Sequence, residues 1–203
     1  VQGTCLRQVV LFIRLMEKER TMRRAPGEKA TPIKLPAIDG STFNSDSLVG
    51  KPMMLSFLRF ASCPFCNLRV HKRVKHFAEF GDNFTIIAIF DSPLENLVRH
   101  TEDHKAPFPI LADENKRYYQ EYGIENSLRG FLKGMLLRMP TLMKGMSQGY
   151  VPIIIKGSLT TMPADFLIDK YGIIQVAYYG NDEGDHLPFE QVKVFSLEQE
   201  TLP

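Results

Sequence analysis

The 203-residue sequence predicts an α/β protein, a mixed central sheet flanked by helices, and three observations carry that prediction. Residues 53–58 and 84–90 are apolar almost throughout, as strands buried on both faces of a parallel sheet are. A helical pattern separates them. Residues 166–179 read as two strands around an Asp-Lys-Tyr-Gly turn, an antiparallel hairpin. The order β-α-β-α-β-α, then hairpin, then helix describes a sheet that starts parallel and ends antiparallel.

Each element has a local reason. The domain body begins near Thr31, giving a domain over 31–203 and an N-terminal extension over 1–30 with helical character. Asp39-Gly40 and Gly50-Lys51-Pro52 are turn signals around a segment with scattered apolar positions. The run 53–58 follows, then the β-branched and aromatic run 84–90. Residues 108–111 form a short strand whose prolines suit a sheet edge, and 113–123 a capped helix ending at Gly123. Residues 124–157 form an insertion in which Leu128, Phe131, Leu132, Met135, Leu136 and Met139 recur at helical spacing up to Pro140. That stripe is expected to be buried in packing, with an adaptable cover over a site, or a partner surface, as the alternative. A last helix near 188–199 closes the chain.

Composition narrows the function classes. At 44% hydrophobic the chain holds a real core, and a net charge of +2 gives no reason to expect a nucleic-acid partner. The apolar run 9–13 is five residues between Arg7 and Arg14, too short for a signal peptide or a membrane span, so stable membrane insertion is not expected. Three cysteines, an odd and low number, argue against a disulfide framework and for a reducing compartment, with cytoplasm as the expectation.

Two of those cysteines sit in FLRFASCPFCNLRVHK, residues 57–72, where the first strand turns into a basic helix. Cys63 precedes Pro64, a residue preferred at the first helical position, so Cys63 is read as the N-cap. A thiolate there meets unsatisfied N–H groups and the positive helix end, which lower its pKa and make it the attacking group. Cys66 shares a face with Val70, Val74, Phe77 and Ala78, so it is the buried, resolving partner of an exposed Cys63. Helical Cα atoms three residues apart lie about 5 Å from one another, within disulfide range. His71 and His76 lie on the same helix at a spacing that cannot bring both to Cys63, so neither a metal nor another cofactor is expected. Met162-Pro163 leads into the strand 164–169, where Pro163 is expected to be cis and to present the preceding backbone. Met162, Pro64 and Phe65 are the candidate substrate contacts. Arg69, Lys72, Arg73 and Lys75 are expected to form a solvated helix face, and Asp182 to His186 a turn and cap, with His186 near the thiols.

A strand, the Cys63-Pro-Phe-Cys66 helix, and then Met162-Pro163-Ala-Asp-Phe-Leu-Ile-Asp169 with a turn at Gly172 resemble the thioredoxin fold, in the redoxin group that includes alkyl hydroperoxide reductase and thiol-specific antioxidant proteins. The stretch 33–190, with residues 56–67 and Tyr178-Tyr-Gly…Gly184-Asp-His186, is similar to bacterial peroxiredoxin-like proteins. The resemblance implies Cys63 as nucleophile, Cys66 as resolver and Pro163 as the cis-proline beside them, with the insertion placed before that strand. It implies a protein or small-molecule disulfide or a peroxide as substrate, and an external thiol as reductant. Peroxide-reducing members carry Thr or Ser three residues before the attacking cysteine and an Arg on the late strand. Phe60 and Pro163 stand at those places, and Ser62 replaces the Trp that precedes a thioredoxin CxxC. The expected activity is therefore thiol–disulfide oxidoreduction. A thiol-dependent peroxidase using the same cysteines and a non-enzymatic redox-sensing, partner-binding module are the alternatives.

Overall fold

The computed structural model describes residues 23–152 and 155–201. Strands β1 (Lys34–Pro36) and β2 (Thr42–Asn44) form a small antiparallel hairpin that the scattered apolar residues there do not announce. β3 (Met53–Phe57), β4 (Thr85–Phe90) and β5 (Ile110–Ala112) run parallel, while β6 (Ala164–Ile168) and β7 (Ile174–Tyr179) add antiparallel strands. The five-stranded order is β5-β4-β3-β6-β7, with the proline-flanked β5 at an edge.

Helix α1 (Pro64–Lys75) follows β3, α2 (Leu94–Thr101) follows β4 and α3 (Arg117–Glu121) follows β5. The Asp113 carboxylate accepts from the N–H groups of Arg117 (3.1 Å) and Tyr118 (2.8 Å), which caps α3. α4 (Leu128–Leu137) and α5 (Met139–Ser147) fill the long connection to β6, and α6 (Phe189–Thr201) closes the chain. One face of the sheet buries Cys66 and Val70 from α1, Leu97 from α2, and Val192 and Phe195 from α6. The other buries Ile33 and Leu35 with Tyr118, Tyr119 and Tyr122. Because side chains alternate along β3, Met54 and Met53 go to opposite faces, so apolar residues are needed at consecutive positions.

Three expectations need correction. Pro140 does not end the insertion's helical structure; it stands in the first turn of α5, where its missing N–H costs nothing. The apolar stripe of α4 is not buried: Leu128, Leu132 and Leu136 point outward, Leu136 at 78% exposure, while Gly130 and Gly134 face the protein. The glycines win the inner face because a Cβ at 134 would collide with the buried Glu183 carboxylate. Nor is the basic face of α1 wholly solvated, since Arg73 is buried against Asp165 (3.2 Å) and Ser56 Oγ (2.6 Å). An Asp inside an apolar strand requires a counter-charge, and Arg73 lies three residues beyond Val70 on the buried face.

The helical character expected for 1–30 falls largely on residues outside those described, as does Cys5. Residues 23–30 run beside the β6–β7 hairpin, with Gly27 N–H donating to Ile174 O (2.8 Å) and Lys29 bridged to Ile173. No described helix is long and apolar enough to cross a membrane.

Candidate active site

Cys63 and Cys66 come together where β3 ends and α1 begins, next to the start of β6, since Ala164 pairs with Phe57. Cys63 is the N-cap of α1, with Pro64 inside the first turn. The loop that delivers it is pinned throughout. Leu58 N–H donates to Ile89 O (2.7 Å), Tyr119 Oη donates to Leu58 O, and Ser92 Oγ accepts from Ala61 N–H (2.8 Å). Asn67 Nδ2 donates to Ala61 O (2.7 Å) and to Cys63 O (3.0 Å), and its own Oδ1 meets His104 Nε2 (2.8 Å).

The two thiols are hydrogen-bonded partners with unequal acidity. Burial pushes Cys63 up, but the Cys66 thiol, the Arg59 guanidinium and the amides of Cys66 and Phe65 together outweigh it and bring Cys63 from 9.0 down to about 7. Those amides favour the charged form without closing a cap hydrogen bond to the side chain. Burial, and then the neighbouring Cys63, push Cys66 well up; its Sγ accepts from the Arg59 backbone N–H at 3.3 Å. One thiol is thus about half ionised near neutrality and the other holds its proton.

The cover over the pair differs from expectation. Cys63 is as buried as Cys66, both at 0% exposure, so neither thiol is the exposed one. The reason is the α4–α5 pair: Gly145 of α5 sits on Pro64, where a Cβ would come within 2.8 Å of the proline Cβ and 3.2 Å of Leu68 Cδ1, and Leu142 packs against the cluster that holds both cysteines. Pro64, Phe65 and Met162 are buried with them, Met162 beneath Gly130 of α4.

Pro163 stands at the head of β6 but is not cis; every peptide bond of the described residues is trans. Around it, Met162 N–H donates to Glu125 O (2.9 Å) and Gly180 N–H donates to Pro163 O (2.8 Å). His186 lies under the site rather than at the thiols. Its Nδ1 meets Asp165 Oδ2 at 3.0 Å, joining a buried network with Arg73, Ser56 and the Leu187 N–H. Burial opposes the Asp165 charge, but the hydrogen bond from His186, the Arg73 guanidinium and the Ser56 hydroxyl hold its carboxyl well below the usual carboxylate range.

Two buried residues escaped sequence reasoning. Arg59 is 2% exposed, its side chain donates to Leu159 O, and its Nε has no hydrogen-bond partner. The signal was a lone cation closing an apolar strand four residues before a cysteine. Glu183 is fully buried with no other residue hydrogen-bonded to its carboxylate oxygens, and burial raises its pKa despite the opposing pull of its own backbone N–H and of Arg59. Nothing in its acidic loop marks it apart from Asp182. Among the described residues no group of three or more His, Cys, Asp and Glu side chains is arranged to hold a metal ion.

The AhpC/TSA family profile matches residues 26–177. No curated protein matches the chain. Among solved structures, a mutant of peroxiredoxin 6 from Arenicola marina shares 15% identity at a TM-score of 0.64, covering 87% of this chain and 74% of that one. The peroxidoxin BcpB from Mycobacterium tuberculosis shares 13% at 0.60, with 85% and 96% covered. A putative thiol:disulfide interchange protein, DsbE from Chlorobium tepidum, shares 17% at 0.54, with 85% and 98% covered. At these identities the neighbours show a common fold, the thioredoxin-like one.

Proposed function

Because the chain belongs to the AhpC/TSA family, and is thereby an oxidoreductase with a thiol redox function, we propose that it is a thiol–disulfide oxidoreductase in which Cys63 attacks and Cys66 resolves. The observation that carries the reading is the split acidity of two hydrogen-bonded thiols three residues apart. The Cys63 thiolate attacks one sulfur of a substrate disulfide, forming a mixed disulfide and releasing the other sulfur as a thiolate that takes up a proton. Cys66 then gives up its proton and attacks Cys63 Sγ, so the second substrate sulfur leaves and the Cys63–Cys66 disulfide forms. Two electrons have passed from the protein to the substrate, and an external thiol returns them. Met162, Pro64, Phe65 and Pro163 frame the approach to Cys63 in this reading.

A second reading is favoured by one specific observation. Arg59 puts a buried guanidinium with a free Nε beside the thiols, although Phe60 and Pro163 supply no polar group to a peroxide. Such a cation favours a peroxide oxygen as it gains negative charge in attack by Cys63, with Cys66 resolving the sulfenic acid to the disulfide and water.

The test is trapping. Cys63→Ser is expected to abolish turnover, and Cys66→Ser to leave a stable mixed disulfide with substrate, detected by intact-mass spectrometry. Equal trapping by both single variants would defeat the assignment. Parallel turnover with a disulfide and with hydrogen peroxide separates the two readings, with disulfide exchange expected to be the faster.

A further inference from the structure

The surface where α5 rests on α1 holds a concavity of about 580 Å³ without a single carboxylate in its wall. Phe65, the residue between Pro64 and Cys66, forms part of that wall, with Arg69, Lys72 and Lys75 from α1 and Lys144 from α5. Arg138 also lines it but is neutralised by Asp182, 2.5 Å away. Arg69, Lys72, Lys75 and Lys144 form no ion pair among the described residues, and the Lys72 ammonium is 5.3 Å from the centre of the Phe189 ring. Burial, and then the like charge of Arg73, press Arg69 down to about 10 against the opposing pull of Asp165.

Four cations without an ion-pair partner among the described residues, gathered on one concavity, attract an anion far more strongly than the same charges spread over a flat surface, because the low-dielectric walls focus their field. The volume lies in the range of about 300–1,000 Å³ typical of small-molecule sites, so the fitting ligand is a small molecule rather than a protein face. Its position beside Phe65 ties it to the thiol pair.

We propose that this groove binds the anionic end of a small thiol, one bearing carboxylate or phosphate groups, that reduces the Cys63–Cys66 disulfide. The inference rests on the thiol-redox reading and names its reductant class. When the α4–α5 cover is displaced from Cys63, the bound thiol, as thiolate, attacks Cys63 Sγ; the Cys63–Cys66 bond breaks and Cys66 takes up a proton. A second thiolate then attacks the sulfur of the first, a small-molecule disulfide leaves, and Cys63 is returned as thiolate. Two thiols have supplied two electrons. The cations also favour ionisation of the incoming thiol, which raises the fraction able to attack.

The experiment uses the full chain, oxidised in advance, and follows reduction by free-thiol titration. Thioglycolate, coenzyme A, mercaptoethanol and cysteamine are compared at equal thiolate concentration, as carboxylate, phosphate, neutral and cationic probes. The expected result is that at least one anionic thiol reduces the protein roughly tenfold faster than cysteamine, and that about 0.5 M salt compresses the difference. Which anionic probe leads separates carboxylate from phosphate. The double variant Lys72→Glu/Lys144→Glu, both side chains being exposed, is expected to remove or reverse the order while mercaptoethanol, anionic only at its thiolate, changes less than the anionic probes. A flat charge series, or an order that survives the double variant, overturns the groove while reduction by neutral dithiothreitol leaves the thiol-redox reading standing. Failure of dithiothreitol to cycle the pair overturns both.

Discussion

At the scale of the single residue, the Cys66 thiol and then the Arg59 charge set how much thiolate the protein holds at neutral pH. Burial alone drives Cys63 toward the protonated form; the Cys66 thiol and Arg59 reverse that and bring it to about 7. Arg59→Met keeps most of the side chain's packing against Phe60 and Phe131, whose rings lie 5.3 and 5.7 Å from the guanidinium, and removes the charge together with the hydrogen bond to Leu159 O. The midpoint of Cys63 alkylation against pH is expected to move up toward 9.0, and the rate at neutrality to fall roughly tenfold for every pH unit by which that midpoint rises. An unchanged midpoint in the folded variant would assign the low pKa to the thiol pair and the helix start alone. Cys63 and Cys66 were legible because helix-start chemistry is local. Arg59 and Glu183 were not, because a cation at a strand end and an acid in an acidic loop acquire meaning only when a distant helix buries them.

At the scale of elements, the α4–α5 pair turns its glycines and Leu142 toward the protein and most of its large apolar residues outward. The strands of the five-stranded sheet were readable to within a residue or two, its central ones because a two-faced buried strand leaves a continuous apolar run, whereas β1 and β2 were not. The insertion was readable as helical but not in its orientation, because periodicity finds a stripe without saying which side of it faces the protein. Glycines are silent in such a count, yet Gly145 is what lets α5 settle on Pro64. Gly145→Val is expected to lift α5 from α1 and raise alkylation of Cys63 by a bulky maleimide several-fold more than by iodoacetamide. Equal rises with both reagents, in a protein with native circular dichroism, would remove the selectivity from α5 and leave it a packing element.

At the scale of the whole molecule, two buried histidines tie stability to acid. His104 holds Asn67, and His186 holds Asp165; burial is the first cause that lowers each from 6.5 to about 4. The unfolded chain takes up these protons below 6.5 while the folded chain refuses them until about 4, so stability is full above 6.5 and is lost as pH falls through that window. The slope is about 1.4 kcal/mol per pH unit for each histidine. Urea unfolding between pH 7 and 4 is expected to show it, with His104→Gln reducing the slope and sparing the stability at pH 7; an equal slope in that variant would place the acid sensitivity elsewhere. Asp165, held low, adds its own loss only at pH below the ordinary carboxylate value of 3.8.

The burial of Cys63 under a glycine-faced hairpin has a kinetic meaning as well. A thiolate that is ready to react but reached only while its cover is displaced reacts at the product of two quantities, its intrinsic rate and the fraction of time it spends uncovered. At low oxidant the rate grows with concentration; at high oxidant it levels off at the frequency of uncovering and ceases to depend on which oxidant is present. A molecule built this way has a maximum rate of oxidation written into how its hairpin is seated, so that a surge of oxidant changes how many copies are oxidised per second only up to that limit.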